Sequence, residues 1–401
     1  MREYVLRVLK ELISIPTVNP PGSNYDVMAK YLARELSNLG LNVEVVEVPE
    51  EFLDANYPYR PQHVGRPRYL VLSWLGRGSP LIQVNCHYDV VPPGPGWASP
   101  PFTPKLSNDV VIGRGASDMK GGIAAALATV KELVDGGLLD GVGGRLELLL
   151  VPDEEAGGLG TRYYVEEVMG SRPDYVVIPE PTSVRKVIIG HKGVVKGLVR
   201  VRGRQAHAST PWLGVNAFVK AADAALKLDE WFRRSYGLAR STYRTDFAEG
   251  SGNTLVLGGF AESLSGKESI VPGEFVFSFD ARLIPEVDVN NFTRDLEGFT
   301  ELVDAGVEVL SMAQGFVNEG SRVGAVIREC ARGLGVGGVD EYVSVGRVDI
   351  SYYGRVGVDA VAYGPGNPRE AHASNEGVSL RDIEAYVKVL KCVVLSILRG
   401  P

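Results

Sequence analysis

The sequence predicts an α/β protein in which one α/β domain is interrupted by an inserted βαββαβ domain. Three observations predict it. The chain has 401 residues, more than one hydrophobic core usually serves, so two domains are expected. Through residue 192, short apolar runs alternate with segments of helical periodicity. After Gly193 the order becomes strand, helix, strand, strand, helix, strand, and the α/β alternation then resumes. The boundaries are 1–192 and 313–401 for the main domain and 193–312 for the insertion.

Taken in order, residues 2–14 read as a helix that Ile15-Pro16-Thr17 stops. Asn19-Pro20-Pro21-Gly22 is a turn. Val27, Met28, Tyr31, Leu32, Leu36 and Leu39 fall at helical spacing, with Gly40 as the C-cap. Val43, Val45 and Val48 start a strand. Residues 49–68 hold four prolines (Pro49, Pro58, Pro61 and Pro67) and read as a loop with no assigned role. The runs 69–72 and 81–84 are strands, 123–134 a helix, and 145–151 and 174–178 strands. In the insertion, 194–201, 255–260, 275–283 and 307–310 are strands, and 215–232 and 289–302 are helices. The tail gives helix 323–334, strand 360–363, the loop 364–375 and helix 380–398.

Composition narrows the function classes. Lys and Arg number 42 against 49 Asp and Glu, a net charge of −7. That argues against nucleic acid or an anionic membrane as the main partner. No apolar stretch reaches membrane-spanning length, and the N-terminus opens an amphipathic helix with no signal-peptide core. The three cysteines, Cys86, Cys330 and Cys392, form no CxxC pair and no disulfide framework. A reducing compartment, and so a cytoplasmic location, is expected.

The chemistry centres on His87, which follows the apolar run 81–84 and precedes Pro92-Pro93. It therefore sits at the carboxyl end of a strand, where open α/β sheets build sites. Asp89, two residues on along an extended chain, is on the same side and can hold the second ring nitrogen. Asp118, Glu154-Glu155, Glu180 and His372 also fall at strand ends, helix starts or in a loop. Each has a plainer reading alone: Asp118 as a helix cap, the Glu pair as solvated, Glu180 as a rigid turn, His372 as a loop histidine. A sheet brings strand ends into one row, so together they can converge. Two histidines with several carboxylates and no thiolate suit two Zn2+ ions, with Co2+ or Mn2+ able to substitute. One carboxylate would bridge a centre about 3.5 Å wide.

These residues carry a resemblance. The motifs are His87-Tyr88-Asp89-Val90-Val91-Pro92, Gly113-Arg114-Gly115-Ala116-Ser117-Asp118-Met119-Lys120-Gly121, Asp153-Glu154-Glu155, Pro179-Glu180-Pro181, and His372 with Asn375-Glu376. In these motifs and their order the chain resembles the co-catalytic zinc metallopeptidase and amidohydrolase family of aminoacylase, acetylornithine deacetylase, succinyl-diaminopimelate desuccinylase and glutamate carboxypeptidase. The resemblance implies a zinc-peptidase-like three-layer αβα catalytic domain with a ferredoxin-like lid that dimerises. It implies that His87, Asp118 and Glu180 hold one metal, that Asp118 bridges to a second held by Glu155 and His372, and that Asp89 orients His87. Glu154 would be the general base, with a metal-bound hydroxide attacking an amide carbonyl. A strained peptide is expected at Asp118-Met119.

In the lid, Gly203-Arg204-Gln205-Ala206-His207 resembles the family's histidine motif. His207 would donate to the oxyanion in the other subunit's site. Asn253 and Arg282 match positions that bind a substrate carboxylate, and Gly364 would let backbone approach the substrate. His63 and His191 match no ligand position. The expected substrate is an N-acyl amino acid. The alternatives are a carboxypeptidase or dipeptidase on small peptides, a two-metal phosphoesterase, and a non-catalytic metal-dependent binding protein.

Overall fold

The computed structural model describes residues 1–400. They form two compact units. The first comprises Met1–Ile189, Asn318–Tyr342 and the chain from Val348 onward; the second comprises Gly190–Val317 and Val343–Arg347.

In the first unit the strands Asn42–Val48, Arg68–Arg77, Gly144–Val151, Leu81–His87, Tyr175–Ile178 and Asp359–Ala362 lie side by side in that order. The first two pairings are antiparallel. The four strands from Gly144–Val151 to Asp359–Ala362 run parallel. Every residue of Leu81–His87 is buried, and so is nearly all of Gly144–Val151, as expected of parallel strands covered on both faces. Helix Gly121–Asp135 packs on helix Leu380–Arg399, and both reach the Leu81–His87 strand. Helix Tyr25–Asn38 packs on the Arg68–Arg77 strand and ends at Gly40, whose φ of 84° lets the Leu41 amide donate back to the Leu36 carbonyl at 3.2 Å.

Register sets up the site. His87 pairs with Val151, Val84 with Val177, and Ala362 with Ile178. The parallel strands therefore release their carboxyl ends along one edge. His87, the 152–155 turn, Glu180 and Gly364 leave the sheet there.

The second unit is the split βαβ arrangement. Strands Thr254–Ser263, Glu274–Leu283, Gly193–Arg202 and Ala305–Ala313 form one antiparallel sheet in that order. The first and last strands in sequence are neighbours, with Val199 opposite Val307. Helices Ala217–Ser235 and Val289–Leu302 pack on it, burying Ala221, Leu228, Phe232, Phe292 and Leu296. This unit also takes in Val343–Arg347, well beyond residue 312. The Val343 amide donates to the Arg244 carbonyl at 2.8 Å, and the Val345 amide to Asp246 Oδ1 at 2.9 Å.

Several features depart from the sequence reading. Residues 49–68 are not all loop: Glu50–Asn56 is a helix opened by two acidic residues. Strands Lys186–His191 and Asp340–Ser344 and helix Ile350–Arg355 were not predicted from the sequence. Cys330 and Cys392 form a disulfide, with Cα atoms 5.9 Å apart on helices Arg322–Gly333 and Leu380–Arg399, which pack together. This corrects the cysteine argument for a reducing compartment, because neighbouring helices supply the proximity that sequence spacing hid. Cys86 is a buried free thiol. Among the described residues no helix is long and apolar enough to cross a membrane.

Candidate active site

The strand ends bring the predicted residues together. His87 closes its strand, and its Nε2 lies 3.1 Å from Asp118 Oδ1 and 3.9 Å from Glu180 Oε1. His372 Nε2 lies 3.0 Å from Glu155 Oε1 and 3.5 Å from Asp118 Oδ2. Two donor groups result, His87–Asp118–Glu180 and Asp118–Glu155–His372. Within each, the candidate ligand atoms all lie within 4.8 Å of one another, and Asp118 belongs to both.

The electrostatics favour a cation. Burial pushes the Glu180 carboxyl up to about 8, and the Asp118 charge adds to the rise. Glu180 Oε1 is buried without a hydrogen-bond partner. Burial likewise pushes Glu154 well above the usual carboxylate range, with the Asp349 charge next. Asp118 goes the other way: burial alone would raise it, but hydrogen bonds from His372 and His87 outweigh that. His372 is held up to about 11 by its bonds to Asp118 and Glu155. Crowded carboxylates, an orphan buried oxygen, two imidazoles and no thiolate fit a pair of divalent ions.

Support comes from below. Asp89 is fully buried, and its carboxylate accepts the backbone amides of Glu154 and Glu155, both at 3.1 Å. His87 Nδ1 lies 3.1 Å from the Asp89 carbonyl and 3.5 Å from its Oδ1. Asp89 thus contacts the histidine and the acidic turn at once. The peptide between Asp118 and Met119 is cis.

The second-unit residues and Gly364 sit as follows. His207 is exposed on the short strand Ala206–His207. Its Nδ1 accepts the Ser209 amide at 3.1 Å, so a neutral ring carries its proton on Nε2. Asn253 is engaged by its own unit: Nδ2 donates to the Tyr236 carbonyl at 2.8 Å and Oδ1 accepts the Ile284 amide at 2.7 Å. Arg282 is held by Asp280 through Nε at 2.7 Å and a terminal nitrogen at 3.1 Å. Gly364 packs against the Pro179–Glu180 backbone. A Cβ there would fall 2.4 Å from the Pro179 carbonyl carbon and oxygen, so the bare backbone serves the chain's own packing against Glu180. His63 is buried beside the Tyr57 ring and bonds Asp54, and His191 is buried.

The model of peptidase family M20/M25/M40 matches residues 84–396. The chain belongs to that family. This M20/M25/M40 member is 28% identical over 409 residues to a succinyl-diaminopimelate desuccinylase of a Nitratiruptor species, covering 98% of this chain and 99% of the relative. It is 35% identical over 269 residues to a succinyl-diaminopimelate desuccinylase of Sphingopyxis alaskensis, covering 63% and 64%. Its fold matches an M20 family metallo-carboxypeptidase from Sulfolobus solfataricus with a TM-score of 0.77 at 20% identity, covering 98% and 99%. M20/M25/M40 membership makes the chain a metal-dependent hydrolase.

The sequence reading did not assign four buried polar residues of this M20/M25/M40 site. Glu376 accepts the amides of Gly115, Ser117 and Asp118 at 2.7–3.0 Å and pairs with Arg114 at 2.7 Å. Its signal was its place in the final motif, three residues after Ala373. Asp153, Arg68 and Asn19 form a second group. Asp153 Oδ2 accepts Arg68 Nε at 3.0 Å, and Asp153 Oδ1 accepts Asn19 Nδ2 at 3.0 Å and the Tyr25 hydroxyl at 2.9 Å. Their signal was weak, because Asn19 reads as a turn and Arg68 as the end of a proline-rich stretch.

Proposed function

We propose that the chain hydrolyses the amide bond of an N-acyl amino acid at a two-metal centre, and that an N-succinyl group is the acyl class it takes. The observation that supports it best is the pair of donor groups sharing Asp118, with Glu154 beside them on an anchored turn. The desuccinylase relatives, matched over nearly full length in two cases, support the acyl class.

His87, Asp118 and Glu180 would hold one ion, and Asp118, Glu155 and His372 the other. Zn2+ is the proposed ion, with Co2+ or Mn2+ substituting, from the donor chemistry of imidazole and carboxylate without thiolate. Ions held there would supply the positive charge that polarises an amide carbonyl and eases deprotonation of water. Glu154 takes the proton from the attacking water and passes it to the leaving nitrogen. Asp89 orients His87 and fixes the amides of both glutamates.

His207 is proposed to donate from Nε2 to the developing oxyanion of a second subunit. Arg282, freed from Asp280, would take the substrate carboxylate. A homodimer through the lid is supported by an exposed apolar face there: Trp212, Leu213, Phe218, Val219 and Leu226 are each more than half exposed.

A substrate panel tests the reading. Purified protein with added Zn2+ is expected to turn over N-succinyl amino acids faster than N-acetyl amino acids, and both faster than dipeptides. Preference for dipeptides would move the assignment to a peptidase. Turnover of phosphate esters without amides would overturn it.

A further inference from the structure

Asn19 and the 49–68 segment lie outside the family-matched stretch, yet they place buried polar groups directly behind the Glu154–Glu155 turn. Asn19 is 1% exposed, and Tyr57 and Arg68 are fully buried. The Asn19 carboxamide is fully used. Its Nδ2 reaches Asp89 Oδ2 and Asp153 Oδ1, both at 3.0 Å, and its Oδ1 accepts the Tyr57 hydroxyl at 2.7 Å. That pattern fixes the amide orientation, because a flipped group would set an oxygen against two carboxylates. Arg68 seals the arrangement. It bonds Asp153 through Nε, reaches the Pro21 carbonyl at 2.7 Å, and lies over the Tyr25 and Tyr57 rings.

We propose that Asn19, backed by Tyr57 and Arg68, is a positioning residue that joins the Asp89 and Asp153 carboxylates and so fixes the Glu154–Glu155 backbone at the metal centre. The role rests on the function proposed above. Asp89 and Asp153 are like-charged neighbours that share one neutral donor, so removing the donor leaves repulsion between them. Asp89 carries the Glu154 and Glu155 amides, and Asp153 is the residue immediately before them, in a left-handed conformation with φ 60°. Any separation of the two carboxylates therefore moves both glutamates. The side-chain hydrogen bonds of Asn19 go to Asp89, Asp153 and Tyr57 and to no member of either donor group, so it acts through others.

The test uses full-length protein loaded with Zn2+, with chelator competition for metal affinity and steady-state kinetics on the amide that the panel identifies. Asn19→Ala is expected to weaken binding of the less tightly held ion and to lower kcat, each about 10- to 100-fold, as loss of a ligand-supporting contact does. KM should stay within about twofold, since substrate binding itself is untouched. Tyr57→Phe, which removes only the hydroxyl behind Asn19, should shift both quantities the same way by less. A purely structural residue predicts otherwise: a lower Tm with parental metal affinity and kcat, and that result overturns the proposal. If Asn19→Ala does not fold, Tyr57→Phe decides, and parental metal affinity and kcat there overturn it. Wild-type protein that holds fewer than two ions would sink the two-metal reading and this role with it. Wild-type protein with two ions and unaffected variants sinks this role alone.

Discussion

Glu180 makes the residue-scale case for a cation. It is buried at a strand end between two prolines, one oxygen has no hydrogen-bond partner, and its neighbours include Asp118. A carboxylate placed so is stabilised by a positive charge and by little else. What keeps it there is Gly364. Because a Cβ would meet Pro179 backbone at 2.4 Å, Gly364→Ala must push the Pro179–Glu180 segment aside. Overpacking of this kind costs about 1–3 kcal/mol. We expect a lower thermal midpoint by calorimetry together with weaker metal binding by chelator competition. An unchanged midpoint and unchanged metal affinity would show that the contact is not tight.

At the scale of elements, one sheet edge and one clamp build the site. The edge was legible in the sequence, because His87, the 152–155 turn and Glu180 each directly follow an apolar run, and parallel strands end together. The second-unit helix read as 289–302 is Val289–Leu302, since its apolar spacing is strong and Asp288 caps it. The supporting contacts were not legible, because their partners are remote in sequence. Arg68 meets Asp153 across 85 residues, and Asn19 meets it across 134. The Glu376 clamp is the same kind of feature: it reaches back more than 250 residues to hold the Asp118 turn. Glu376→Gln leaves one acceptor oxygen for three amides and Arg114, and breaking such a buried pair costs about 3–5 kcal/mol. Denaturant unfolding should show a stability loss of that order, and both ions should bind less tightly because Asp118 is shared. Loss of stability with both affinities intact would separate the clamp from the metal centre.

For the whole molecule, the Cys330–Cys392 link closes a loop across 62 positions and ties the C-terminal helix to its neighbour. A cross-link of that span restrains the unfolded chain by about 4 kcal/mol in the loop-entropy account. Unreduced protein in denaturant should therefore titrate one thiol, Cys86, and reduced protein three. Unfolding free energy should fall by up to about that amount on reduction. Three thiols without reduction would show the bond is not formed. The central claim, that this M20/M25/M40 member is an amide hydrolase whose Glu154 moves the proton, is tested most directly by Glu154→Gln. Elemental analysis and turnover are to be measured on the same sample. The account predicts two metal equivalents, as in the parent, with amide turnover reduced about 10²- to 10⁴-fold; turnover at the parental rate with both ions bound would contradict it.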